Sequence, residues 1–530
     1  MASTSPSSPS AEPTSSRRIE RWALFAGPGL AALTLLLDLA PGQPSVTRMA
    51  AVAIWMAIWW MAEAVPLAVT ALLPLVLFPA LGIQDGKHVA GQYINHVIFL
   101  FVGGFVVALA MQRWNLHRRI ALFVLNIAGV QPRRMLAGFM ISTAFLSMWI
   151  SNTASAMMMV AIALAVVVEL EASLAKEDAG RLSVALFLGV AYGASIGGIS
   201  TLVGTPPNLS FARIFAILYP AAPEISFASW FAFAFPLSVA FLAITWGYLA
   251  FRFCPNRVGL AADHFYKEQQ RLGPISFAEW VVLLDFSVMV VLWLTRADLE
   301  FGTLRVPGWS NWFDNPEYFN DGSVAIAVAI VLFVVPARTP PPTARNAEEN
   351  RGEDESRVMS WKACADLPWG VVLLFGGGFA VASGFIDSGL SAWLGRHLQS
   401  MEGLPAWAAV LVTSTLLTFL TELTSNTATT EIMLPVVASA ANAMALHPLL
   451  LMVPATLSCS CAFMLPVATP PNAIVFGSGR VPMGQMIRTG LVLNLVGVVL
   501  IVGTIFTLGR SVLDIKPDLT PAWATTGRGK

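Results

Sequence analysis

The sequence predicts an all-α, polytopic membrane protein of about eleven transmembrane helices plus two re-entrant helical hairpins, arranged as an inverted repeat. Three observations lead there. Of its 530 residues 56% are hydrophobic and only 12% charged, a composition far more apolar than that of soluble domains. Apolar runs long enough to cross a bilayer recur along the chain. Finally, "FLSMWISNTA" at 145–154 returns as "FLTELTSNTA" at 419–428 with six of ten positions identical.

The same composition excludes several function classes. Formal net charge is zero, so nothing points to nucleic acid. The six histidines are scattered without metal-ligand spacing, and the four cysteines form no CxxC pair. No HExxH motif, no paired catalytic carboxylates and no nucleophile with an adjacent base is present, so the chain does not read as an enzyme.

In chain order, residues 1–16 are rich in Ser, Pro and Ala. Residues 1–21 therefore read as a disordered cytoplasmic N-terminus. No clear A-x-A cleavage site follows Arg17, Arg18 and Arg21, so the apolar stretch from Trp22 reads as a first membrane helix within 22–48 and not as a cleaved signal. A first repeat is expected over 49–251, with helices near 49–62, 64–84, 97–112, 182–212 and 226–251. A cytoplasmic connection (252–276) leads to a second repeat over 277–509, with helices near 277–295, 322–337, 367–386, 448–479 and 489–509. A C-terminal tail occupies 510–530. Inside the second repeat, 338–366 reads as a cytoplasmic linker, its stretch "TPPPTARNAEENRGEDESR" fully solvated.

Two segments fit poorly as single crossings. Met135 to Val168 is free of charge for 34 residues yet carries Ser151, Asn152 and Thr153 at its midpoint. It reads as two half-length limbs turning back at Ser151, and 404–446 reads likewise. Lysine and arginine favour this layout: with the N-terminus inside, the inner segments hold 21 of the 31, as cytoplasmic loops should. The C-terminus then falls outside. Five crossings separate the hairpins, so the halves are inverted, and further matched blocks support the duplication: "LFVGGFVVA" (100–108) with "LFGGGFAVA" (374–382), and "GTPPN" (204–208) with "ATPPN" (468–472).

Inverted repeats with broken helices are the signature of secondary transporters, whose substrate lies where the breaks converge. Short hydroxyl and amide side chains at each tip can cap the helix that begins there, and a helix start suits an oxyanion. Tandem prolines leave upstream carbonyls free, and these suit a small hard cation. The glycine runs Gly103–Gly104 and Gly376–Gly378 read as close helix packing, and Met157, Met158 and Met159 as core filling. Arg113, Arg118, Arg119, Arg133 and Arg134 read as marking the cytoplasmic face. Glu431, six residues past Ser425, is an ionisable group at membrane depth. It reads either as a structural partner or as a modulator of pH response or cation affinity.

Together with "EAVPLAVTALLPLVLFPALGI" (63–83), "LFVGGFVVALAMQRWNLHRRIAL" (100–122) and "LPWGVVLLFGGGFA" (367–380), these motifs resemble the divalent anion/sodium symporter family of dicarboxylate, citrate and sulfate cotransporters. The resemblance implies a homodimer in the plasma membrane (the inner membrane of a bacterium). Each protomer would have a scaffold domain and a transport domain that moves as an elevator. It implies two or more sodium ions, one held by Ser147, Ser151, Asn152 and Gly204, another by Thr421, Thr424, Asn426 and Ala468. It places the substrate against Ser151, Asn152, Thr153, Ser425, Asn426 and Thr427, with Thr205, Pro206, Thr469 and Pro470 lining the pocket. Two facing tips suit a carboxylate at either end, so the expected cargo is a C4 dicarboxylate: succinate, malate or fumarate. Sodium-coupled citrate or sulfate transport and sodium-independent exchange are the alternatives.

Overall fold

A computed structural model describes residues 14–173, 175–255, 264–301, 304–338, 356–398, 403–517 and 519–525. The first third comprises α1 (Thr14–Leu35), α2 (Pro44–Met61), α3 (Leu67–Thr70), α4 (Leu73–Leu81), α5 (Gly86–Gln92), α6 (His96–Arg113) and α7 (Leu116–Ala128). Next come α8 (Pro132–Ser147), α9 (Asn152–Ser173), α10 (Lys176–Ile199), α11 (Pro206–Leu218), α12 (Phe227–Phe253), α13 (His264–Arg271) and α14 (Phe277–Leu294). A two-stranded antiparallel ribbon, β1 (Leu299–Phe301) and β2 (Leu304–Val306), precedes α15 (Asp321–Val334) and α16 (Trp369–Asp387). The chain closes with α17 (Leu390–His397), α18 (Ala406–Leu420), α19 (Asn426–Ala443), α20 (Pro448–Cys459), α21 (Pro470–Gly477), α22 (Met483–Val512) and α23 (Ala522–Thr525).

Local chemistry explains many of these boundaries. Asp85 and Asn95 cap α5 and α6, each accepting two backbone N–H bonds. Ser276 and Glu279 form a capping box at α14, and Glu279 also pairs with Arg119 of α7 at 2.7 Å. Gly82, at φ +66°, ends α4 in the left-handed region that glycine adopts without strain.

The protein is an all-α polytopic membrane protein. Seven described helices are long and apolar enough to cross a bilayer, among them α9, α10, α12, α14, α16 and α22, and four shorter apolar stretches accompany them. The eleven full crossings read from hydropathy therefore do not all appear as single long helices. The expected crossing at 64–84 is divided into α3 and α4, with Pro66 before the first and Pro74 in the first turn of the second. The expected inner loop at 113–134 contains the amphipathic α7, whose buried face is Leu116, Ala121, Leu122 and Leu125.

Helix α1 begins at Thr14, eight residues before the expected start. Residues 1–13, and the linker stretch 339–355, lie outside the described residues. Met157 is 58% exposed, so it does not fill the core; Met159 does.

At the centre stands α10. Every residue from Leu182 to Ile199 is buried, and the helix packs on α8, α9, α12 and α21. It carries no charge over that stretch, as a helix surrounded by other helices at membrane depth requires.

Candidate functional site

Helices α8 and α9 meet through Met148–Ser151, and α18 and α19 through Thr421–Ser425. The Ser-Asn-Thr triplets thus stand at the starts of α9 and α19. Two further breaks, Ser200–Thr205 between α10 and α11 and Ser460–Thr469 between α20 and α21, lie where the repeated prolines fall. In both cases the prolines open the following half-helix: Pro206 and Pro470 occupy its first turn, after Thr205 and Thr469 in extended conformation.

Each tip is closed on itself by the same contact between side chains five residues apart. Ser147 Oγ meets the Asn152 amide at 2.5 Å, and the repeat-related Thr421 Oγ1 meets Asn426 Oδ1 at 2.7 Å. Thr421 also donates to the Cys459 carbonyl at 2.9 Å. On the first side the inward end of the Asn152 amide lies 3.3 Å from the Ala194 carbonyl oxygen and 3.2 Å from that of Gly204. With NH₂ at that end, Asn152 donates to both carbonyls. With its oxygen there, it stands among the oxygens of Ser147, Ala194 and Gly204, groups of the kind that a small hard cation takes as donors. Glycine makes the approach feasible: a Cβ on Gly204 would stand 2.6 Å from Gly198 O and 3.0 Å from Ser147 O. Trp149 holds the first tip from outside, its ring stacked on Phe227 at 6.0 Å and edge-on to Phe286 at 5.0 Å.

The other expected site residues fall as follows. Ser151 Oγ caps α9 by accepting from Ala154 N at 3.2 Å, whereas Ser425 makes no side-chain cap, contrary to the sequence reading. Thr424 Oγ1 is occupied within its own tip by Leu420 O at 3.0 Å and Thr429 Oγ1 at 2.6 Å. Thr153 is half-buried and Thr427 buried, each one residue into its helix, where backbone N–H groups lack intrahelical partners. Thr205 and Ala468 are buried, Pro206 half-buried, and Pro470 exposed. Thr469 Oγ1 accepts from Asn472 N at 3.3 Å.

The carbonyls expected to stand free upstream of the prolines are largely taken. Asn208 Nδ2 donates to Gly198, Ile199 and Thr201 carbonyls at 3.3, 3.0 and 2.7 Å. Asn472 Nδ2 donates to Ala462 and Leu465 at 3.0 Å each. These asparagines satisfy backbone that no helix can. Both end the repeated "TPPN", and that was the signal sequence reading passed over.

Glu422 does comparable work at the second break alone. Its Oε1 accepts from Phe463 N at 2.7 Å, Met464 N at 2.9 Å and Asn494 Nδ2 at 2.7 Å, and its Oε2 accepts from Leu465 N at 3.0 Å. Met148 stands at the matching place in the first tip, and its carbonyl accepts from Thr201 Oγ1 at 2.6 Å. The repeats also interlock: α11 packs on α19, and α21 on α9. Each half-helix beyond a break therefore rests on the opposite repeat's hairpin.

Residues 22–514 match the family described as the sodium:sulfate symporter transmembrane region. The chain belongs to that symporter family. Among its relatives is the sodium-dependent dicarboxylate transporter SdcS of Staphylococcus saprophyticus, 40% identical over 515 residues, or 93% of this chain and 92% of that protein. SdcS of Staphylococcus aureus strain MSSA476 is 39% identical over 514 residues with the same coverage. Two solved structures share the fold at 14% identity and a TM-score of 0.53. They are Neisseria gonorrhoeae MtrF, titled as illuminating a class of antimetabolite efflux pumps (80% of this chain, 84% of that one), and the Alcanivorax borkumensis YdaH transporter (84% and 98%). Membership in that symporter family makes the protein a transporter and not an enzyme.

Proposed function

We propose that the protein carries a C4 dicarboxylate, succinate, malate or fumarate, into the cell together with two or more sodium ions. The observation that carries this reading is the pair of repeat-related bonds, Ser147 to Asn152 and Thr421 to Asn426, each set against a helix break. The relatives at 39–40% identity are sodium-dependent dicarboxylate transporters by name, which favours a dicarboxylate over sulfate.

In this reading one sodium ion sits among Ser147, Ser151, Asn152 and Gly204, and a second among Thr421, Asn426 and Ala468, with Thr424 contributing once its internal bonds open. The bound ions fix the tips so that the first N–H groups of α9 and α19 face the two carboxylates. Ser151, Asn152, Thr153, Ser425, Asn426 and Thr427 make those contacts, and Thr205, Pro206, Thr469 and Pro470 wall the pocket. Cation and anion binding are therefore reciprocally coupled. Moving a dianion into a cell negative inside costs about 2.3 kcal/mol per charge per 100 mV. Two sodium ions cancel that charge, and a third makes uptake electrogenic.

The segments α8–α9 and α18–α19 are read as re-entrant hairpins opening inward and outward within inverted repeats of five crossings each, over 49–251 and 277–509, which with the first helix make eleven crossings. The N-terminus is placed in the cytoplasm and the C-terminus outside, in the plasma membrane, with two protomers in a dimer. The transport domain moves as an elevator against the scaffold. Sodium-independent exchange is disfavoured because neither hairpin contains Lys or Arg to replace the cation.

Uptake of labelled succinate, malate, fumarate, citrate and sulfate into proteoliposomes tests the reading. Uptake of the four-carbon acids is expected, abolished when choline replaces sodium and inhibited mutually among them. Accumulation that persists without sodium refutes it.

A further inference from the structure

Glu431 is the one group singled out from sequence that the transport site does not absorb. Its side chain is fully buried on α19. Ser210 Oγ of α11 donates to Oε1, while Oε2 has no hydrogen-bond partner among the described residues. The room for this carboxyl is made by α16: a Cβ on Gly378 would overlap Oε2 itself. The glycine there serves the carboxyl more than helix contact.

Helices α2, α11, α16, α17 and α20 pack against α19, and their ionisable groups leave Glu431 without a counter-charge. Arg48 of α2 donates to Leu81 O, Asp387 of α16 accepts from Gln84, and His397 of α17 is bonded to Trp393 O. Arg396 of α17, Cys459 of α20 and Arg213 of α11 remain, and among the described residues none makes an ion pair or hydrogen bond with Glu431. An ionised carboxylate in such a place is strongly disfavoured by desolvation. Among the described residues only one side-chain oxygen, Ser210 Oγ, is bonded to it, too few for a sodium ion, whereas a proton needs no further donors.

Thr427 lies one turn before Glu431 on the same face of α19, about 6 Å along the axis. A second negative charge there would oppose a dianion held at the start of the helix. We propose that Glu431, with Ser210, is a proton-binding site, and that a proton on this carboxyl accompanies the bound dicarboxylate. This rests on the dicarboxylate reading of the tips.

The test is initial-rate uptake of labelled fumarate into proteoliposomes at saturating sodium, from about pH 6.5 to about pH 8.5, where both fumarate carboxyls stay ionised. The wild-type KM rises about fivefold or more toward alkaline pH, and Glu431→Gln gives a KM that no longer depends on pH. Ser210→Ala keeps the carboxyl but loses the bond that favours its ionised form, so the rise in KM moves to higher pH. That variant decides the matter if Glu431→Gln fails to fold. A wild-type KM that is flat with pH, or an unaltered profile in both variants, overturns the proposal. So does a profile that shifts with sodium concentration as simple competition, because the site then holds sodium. No sodium-dependent fumarate uptake by the wild type at any pH would instead overturn the transport reading beneath it.

Discussion

Gly204→Ala measures how closely the first tip must approach its break. The added Cβ would stand 2.6 Å from Gly198 O and 3.0 Å from both Gly198 Cα and Ser147 O, where ordinary contact begins at 3.4 Å. All three neighbours are backbone, so the break must draw away from the end of α10 by about 0.8 Å and from the tip by about 0.4 Å. Overpacking of this kind costs about 1–3 kcal/mol. Charged against the ion-bound state, it raises the sodium concentration for half-maximal uptake by about 5- to 150-fold. The assay is sodium titration of labelled succinate uptake, with thermal unfolding of the detergent-solubilised protein measured alongside. Gly503→Ala, at an exposed position of α22 where a Cβ meets nothing within 4 Å, is the control: sodium dependence is unchanged and the melting temperature does not fall. If Gly204→Ala shows wild-type sodium dependence, or lowers the melting temperature with no change in sodium affinity, the tip and the break do not hold the ion together.

Glu422→Gln replaces a carboxylate that accepts four hydrogen bonds with an amide whose NH₂ meets a backbone donor; a loss of about 2–4 kcal/mol is expected, read as a lower melting temperature. Asn208→Leu orphans three carbonyls and Asn472→Leu two, at about 1–3 kcal/mol each in the buried break, so Asn208→Leu is the more destabilising. His447, at the start of α20, is 4% exposed, accepts from Leu449 N and packs on Trp523. Burial lowers its pKa to about 4, opposed by the Asp514 carboxylate. Its unfolded value is about 6.5, so the native form binds fewer protons than the unfolded chain. Stability is full above pH 6.5 and falls by up to about 3 kcal/mol as pH drops toward 4. Thermal melts of wild type and His447→Asn across that range check it, the variant losing this pH dependence while keeping a capping side chain.

Much of the architecture was legible without coordinates, because bilayer depth imposes strong local rules. A charge-free run of 34 residues with polar residues at its midpoint has few ways to satisfy its backbone, and the turn at Ser151 follows. The repeated "SNTA" and "TPPN" blocks fixed where helices begin. The sequence was less informative about α3, α4 and α7, where hydropathy sees a continuous run or a polar gap and cannot register a local break or an amphipathic helix.

What local pattern determines here is therefore where the backbone must leave the helix and which short polar side chains stand at those points. What only the folded chain decides is which backbone groups those side chains satisfy. The carbonyls before the prolines read as free, yet Asn208 and Asn472 take most of them, leaving Ala194 and Gly204 to face Asn152. Ser210 and Glu431 are 221 residues apart, and they meet only because α11 of one repeat lies on α19 of the other. Periodicity is set within a few turns by hydrogen bonding and solvent, but partners across the repeats are set by which helices pack together.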